Sequence, residues 1–158
     1  MRLFVSIWII VITLLTGCTL MPCPSISDLE ELDALPNTNA LSGVYFADKG
    51  DKSIPTLKHS RLILNADGTF SFYDFPADVL DASADSNMAV DGKGTWSPEL
   101  NNGSARVFVG LDAEPYNEDG KMDYSTSWRL YRKDKRLVIV LWAGDPDACR
   151  ILRLVKPS

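Results

Sequence analysis

One histidine, three cysteines and several closely spaced carboxylates are the residues of this chain that could carry chemistry. His59 is followed by Ser60, but hydrolysis needs a base within reach of the nucleophile and a third group to orient it. On an extended strand neighbouring side chains point to opposite faces, so His59 reads as a surface residue where a strand starts. None of Cys18, Cys23 and Cys149 belongs to a Cys-x-x-Cys pair, which leaves thiol redox chemistry without its second sulfur. Asp145 and Asp147 flank Pro146, an arrangement that fits a rigid turn better than the carboxylate pair of a glycoside hydrolase. Asp112, Glu114, Glu118, Asp119 and Asp123 form an acidic stretch that reads either as a weak calcium site built from oxygen ligands or as a solvated loop. Asn65-Ala66-Asp67-Gly68 lacks the ends of a calcium loop, because Ile63 and Asp74 stand where the first oxygen ligand and the closing glutamate belong. The expectation is a non-catalytic protein with no metal and no cofactor.

Binding is the remaining class. Trp96, Trp128, Trp142, Tyr45, Tyr73 and Tyr131 would anchor a partner or an apolar ligand where exposed, and would fill a core where inward. Phe75, Val79 and Leu80 put large apolar side chains into a connection and form the candidate contact patch. The net charge of −5 repels phosphate backbones and anionic headgroups, so nucleic acid is not expected as a partner.

The elements that must position these residues are strands. From Leu41 onward apolar residues alternate and turn residues recur every eight to fifteen positions. Eight strands are predicted: Leu41–Ala47, Arg61–Asn65, Thr69–Asp74, Gly92–Ser97, Ala105–Leu111, Ser125–Tyr131, Arg136–Trp142 and Cys149–Val155. Leu62 and Leu64 share a face, as do Phe70 and Phe72, and Ala66-Asp67-Gly68 joins them as a tight hairpin. Arg136–Trp142 carries six successive apolar residues and so reads as covered on both faces. The fold class is all-β, an antiparallel meander closing into a small barrel over residues 41–158, with a two-layer sandwich as the other architecture.

Residues 18–40 change to Pro, Ser, Asn and acids and read as a linker with one short helix. Ser27-Asp28-Leu29-Glu30 fits a capping box, and Leu29, Leu32 and Leu35 form a narrow stripe that either docks on the domain or frays. Residues 1–17 begin with Arg2 and run apolar from Leu3 to Leu15. That run is too short for a membrane-spanning helix, which needs about 20 residues, and it suits a cleaved signal peptide.

Leu15-Thr16-Gly17-Cys18 resembles the lipobox of bacterial lipoproteins. The resemblance implies that Cys18 is lipidated (palmitate among its acyl chains) and becomes the first mature residue, leaving 141 of the 158 residues. It implies a cell-envelope location, and with Thr19 instead of Asp after the cysteine, the outer membrane facing the periplasm where a cell has two membranes. Cys23 and Cys149 then remain in an oxidising compartment. They are either bonded to each other or, respectively, free near the membrane and buried as a small hydrophobe.

Gly43-Val44-Tyr45, Leu62-x-Leu64-x-x-Asp67-Gly68-x-Phe70 and Gly94-Thr95-Trp96 together resemble lipocalin-like bacterial lipoproteins over residues 41–111. With Phe75-Pro76-Ala77 and Gly144-Asp145-Pro146-Asp147 they are also similar to a family of small secreted bacterial proteins. These resemblances imply a barrel and no particular activity. The function expected is a membrane-anchored module that binds an envelope protein, of immunity or inhibitor type. The alternative is a carrier or sensor holding a small apolar ligand inside the barrel.

Overall fold

The computed structural model describes residues 26–48, 59–85, 87–112, 123–144 and 149–157. The signal segment, Cys18, Cys23, Glu114, Glu118, Asp119, Asp145 and Asp147 lie outside the described residues, as do the side chains of Asp112 and Asp123. A two-residue strand β1 (Glu30–Glu31) and a one-turn helix α1 (Thr38–Leu41) precede the alternating region. That region forms β2 (Gly43–Ala47), β3 (Arg61–Leu64), β4 (Thr69–Pro76), β5 (Ala89–Asn101), β6 (Ser104–Asp112), β7 (Asp123–Lys133), β8 (Arg136–Trp142) and β9 (Ile151–Val155). Each of these strands pairs antiparallel with the next, and β9 returns to β2 through Phe46–Val155 and Ala47–Leu154. Among the described residues, eight strands taken in chain order therefore close into an antiparallel barrel.

Alternation sends one side chain of each pair inward. Leu62 and Leu64 of β3, Phe70 and Phe72 of β4, Trp96 of β5, Val107 and Val109 of β6, and Trp128 and Leu130 of β7 meet in one buried cluster. Phe72 and Phe75 meet at a tilt with ring centroids 4.7 Å apart, and Phe70 meets Trp128 edge-on at 5.9 Å. Such pairs add about 0.5–1.5 kcal/mol each beyond the area they bury. Gly92 and Gly94 stand opposite Phe72 and Phe70 in register; Gly92 leaves room for the Phe72 ring, and Gly94 for the close approach of the β6 backbone at Gly110. Trp96 closes one end of this stripe, its indole Nε1 donating to the Asn65 carbonyl at 2.9 Å. The β3–β4 turn is held by Asp67 Oδ1, which accepts from Thr69 Oγ1 and Thr69 N, with Gly68 left-handed at φ +83°.

The contact patch proposed at Phe75, Val79 and Leu80 is corrected by burial. Phe75 is fully buried, Val79 belongs to the main core, and Leu80 is half-buried against it. The cause is a bulge between Phe72 and Phe75, where Asp74 is left-handed at φ 54° and its N–H donates to Asp91 Oδ1. One extra residue shifts the alternation, so Phe75 points inward like Phe72. The chain then makes a 3-10 turn at Ala77–Val79 over the barrel end, where Ala77 N–H donates to the Met88 carbonyl and the Asp78 carbonyl accepts from Gly144 N–H.

The linker also differs from its expectation in one respect. Its short helix is α1, capped by Asn37 Oδ1 accepting from Ala40 N–H at 2.7 Å, and lies later than the Ser27 capping box indicates. Residues 30 and 31 are extended because they continue the barrel wall: they pair with Arg132 and Tyr131 of β7 where β6 has ended. Leu32 N–H donates to the Leu130 carbonyl, and the Leu32 carbonyl accepts from Ala105 N–H at 2.8 Å. Leu32 enters the main core, Leu29 packs on an outer cluster, and Leu35 is exposed. That outer cluster is Tyr131, Val138, Val140 and Ile151, covered by Ile26 and Leu29, which is why β8 is apolar on both faces.

Asp28 fastens this strap. Its carboxylate accepts from both terminal nitrogens of Arg153, at 3.2 and 2.8 Å, and pairs with Lys133 Nζ at 2.7 Å. The Lys133 hydrogen bond first, and Arg153 after it, hold the Asp28 carboxyl below its ordinary range against the opposing effect of desolvation. A lowered folded-state pKa contributes stability above the unfolded value, about 3.9, and loses it as pH falls through the lower folded value. Strap docking should therefore be constant from neutral pH to about pH 5 and loosen only below about pH 4. Protection of the Ala105 amide in hydrogen exchange reads this directly, and Asp28→Asn should reduce it at neutral pH as well.

Candidate functional site

The β7–β8 seam parts near one end of the barrel. Its ladder runs from Lys133–Arg136 to Arg129–Val140, after which β8 follows β9 while β7 follows β6. A cleft of about 270 Å³ opens there, between Thr126–Trp128 on β7, Val140–Trp142 on β8, and the 3-10 turn with Asp78, Val79, Leu80 and Ala82. Gly144 completes its rim with φ at +65°. A Cβ at this position would lie 3.7 Å from Asp78 Oδ2 and 3.8 Å from Arg150 Nη1, which is ordinary contact, so the glycine serves the turn and not the spacing.

Asp78 is the charged group of the cleft, with a side chain only 2 % exposed. Arg150 Nη1 stands 2.8 Å from Asp78 Oδ2 and neutralises it, and both carboxylate oxygens are closed to solvent. Removing Arg150 would leave Asp78 as an uncompensated buried charge, whereas Arg150, with 34 % of its side chain exposed, keeps contact with water if Asp78 is removed. The walls are mixed: Thr126 and Ser127 are polar, Trp128 is buried in the main core, and Trp142 is half-buried and also touches the outer cluster. Chemically, the arrangement is a small cleft beside a buried, charge-balanced Asp78–Arg150 pair.

The other sequence candidates fall elsewhere. His59 is exposed, whereas Ser60 is buried with its hydroxyl donating to the Asp74 carbonyl, so the two face apart as their spacing predicts. Tyr45 is buried, its hydroxyl donates to the Leu41 carbonyl at 2.6 Å, and desolvation raises its pKa. Tyr73 lies on the outer wall beneath the Arg61 guanidinium, 4.3 Å from the ring centroid. Cys149 is disulfide-bonded, and the chain's other cysteines, Cys18 and Cys23, are outside the described residues. Among the described residues no three His, Cys, Asp or Glu side chains gather as a metal site.

Sequence reasoning named the aromatic residues of the cleft and missed Asp78 and Arg150. The available signal was a lone charge inside the apolar run Phe75-Pro76-Ala77-Asp78-Val79-Leu80, which in a buried segment requires a partner of opposite sign. The chain matches no protein-family model, and no curated protein or solved structure is significantly similar to it.

Proposed function

We propose that this protein is a lipid-anchored lipoprotein of the cell envelope whose lipocalin-like barrel is a non-catalytic module that binds another envelope protein. The observation that carries this reading is the filled interior. Tyr45, Phe70, Phe72 and Phe75 are at most 2 % exposed and share one core with Trp96 and Trp128, which leaves the exterior for recognition. The carrier reading needs that same space for a small apolar ligand. The lipobox at Leu15–Cys18 supplies the anchor, and Thr19 after it favours the outer membrane facing the periplasm in a cell with two membranes. The seven residues from Thr19 to Ser25, which precede the docked strap, would span about 25 Å if fully extended and let the barrel stand off the bilayer. An immunity or inhibitor role is the concrete form.

The test is affinity capture of the tagged, anchored chain from cross-linked membranes, scored against the same membranes carrying an untagged chain. The expected result is a discrete protein enriched with the tagged chain. Recovery of nothing above the control contradicts the reading.

A further inference from the structure

We propose that the outer wall of β2 and β3 rests on the lipid surface that holds the anchor, an inference that depends on the lipid-anchor reading above and not on the protein partner. Its first support is exposed apolar surface. Val44 and Phe46 project from one face of β2, 37 % and 47 % exposed, on either side of the fully buried Tyr45. In register Val44 stands beside Ile63 of β3, and Phe46 stands between Arg61 of β3 and Val155 of β9, so the apolar side chains form one contiguous strip. Ile63 and Val155 are themselves half-buried. Leu100 and Phe108, exposed on β5 and β6, face Ala105 and Ser97 across their ladder and form no such strip.

The second support is where the tether leaves the barrel. Ile26 and Leu29 pack on the outer cluster that also takes in Val155, the residue beside Phe46. Lys133, which pairs with Asp28 of the strap, stands 3.9 Å from Asp48, two residues beyond Phe46. Paired strands lie about 4.8 Å apart, so the strip begins one strand from the surface the strap covers. At most about 25 Å of chain separates the lipid from Ile26, which keeps the bilayer within reach of this wall. The tether that lets the barrel stand off when stretched brings β2 and β3 down when slack. The wall at β6, four strands away around the barrel, then points away from the lipid.

The rim of the strip suits a headgroup layer. Arg61 lies over the Tyr73 ring, and such side chains keep an apolar body toward the lipid tails and a polar tip in water. The chain's net charge of −5 opposes anionic headgroups, so the matching surface is zwitterionic. A strip this small does not retain a free protein, but the tether raises its effective concentration at the bilayer, and weak docking then suffices.

The test places p-benzoylphenylalanine at position 46, or at position 108 on the opposite wall, in the full lipidated chain reconstituted into phosphatidylcholine vesicles and irradiated. Phe46 and Phe108 are both exposed, so neither replacement disturbs the core. Position 46 should give lipid adducts and position 108 only background. Val44→Asn should lower the labelling at 46 by about fivefold, because it removes the neighbouring apolar contact. Equal labelling at the two positions, or a position-46 adduct to a second copy of the chain in place of lipid, overturns the inference. Flotation of the same vesicles separates it from the reading it rests on. Chains that fail to float contradict the anchor and the wall assignment together, and chains that float without preferential labelling at 46 overturn the wall assignment alone.

Discussion

Replacing Gly94 by alanine should destabilise the barrel by about 3 kcal/mol or more, at the upper end of what over-packing costs and a large share of a domain's total of about 5–15 kcal/mol. A Cβ on Gly94 would stand 2.0 Å from the Gly110 carbonyl oxygen and 3.0 Å from Leu111 Cα, both backbone atoms of β6. Gly94 pairs with Phe70 on one side and Leu111 on the other, so neither neighbour can yield without breaking its ladder. Gly92→Ala should be milder, because its clash is with the Phe72 ring at 2.3 Å, a side chain that can shift at the expense of the Phe75 stack. Gly110→Ala is the control: its Cβ would meet only Thr95 Oγ1, at 3.5 Å, and should change stability by no more than about 0.5 kcal/mol. Urea titrations of the three variants should rank Gly94, Gly92, Gly110 from most to least destabilised.

Cys18→Ser should move the protein completely from the membrane fraction to the soluble one while the barrel stays folded. Stable anchoring needs more than one acyl chain, each buried methylene contributing about 0.8 kcal/mol, and nothing in the linker's composition replaces that. The same substitution bears on the disulfide. Cys149 is bonded, and if Cys18 carries lipid on its sulfur, Cys23 is the thiol left to pair with it. Cys23→Ser should therefore free Cys149 for alkylation, read as a mass shift on the intact chain, whereas Cys18→Ser should leave it protected. By loop entropy a Cys23–Cys149 bond would stabilise the fold by about 4–5 kcal/mol, so Cys23→Ser should also lower the unfolding midpoint. Membrane retention of Cys18→Ser, or a free Cys149 in that variant, would contradict the anchor.

The fold was largely legible in the sequence because period-two alternation is a local signal. The strand pairs Leu62/Leu64 and Phe70/Phe72 face one core, and the two-sided apolar run of β8 is covered on both faces, as their patterns predict. What alternation could not reveal was any departure from alternation. The bulge at Asp74 turned Phe75 from a surface candidate into the barrel's aromatic stack, and aspartate is common enough in turns that its left-handed backbone left no trace. The capping-box residues at Ser27 satisfied a helix rule locally, but Leu32 found partners on β6 and β7, and long-range pairing outweighed the propensity of one turn. The cleft was illegible for the same reason, since Asp78 after β4 and Arg150 before β9 are brought together only by the long-range pairing of the barrel.

The central claim is that the exterior of a filled barrel recognises a protein, and site-specific photo-cross-linking in intact cells tests it most directly. A photoreactive amino acid at the exposed position 82 should yield one discrete protein adduct. Irradiation that gives no protein adduct, or only lipid adducts, would contradict the account.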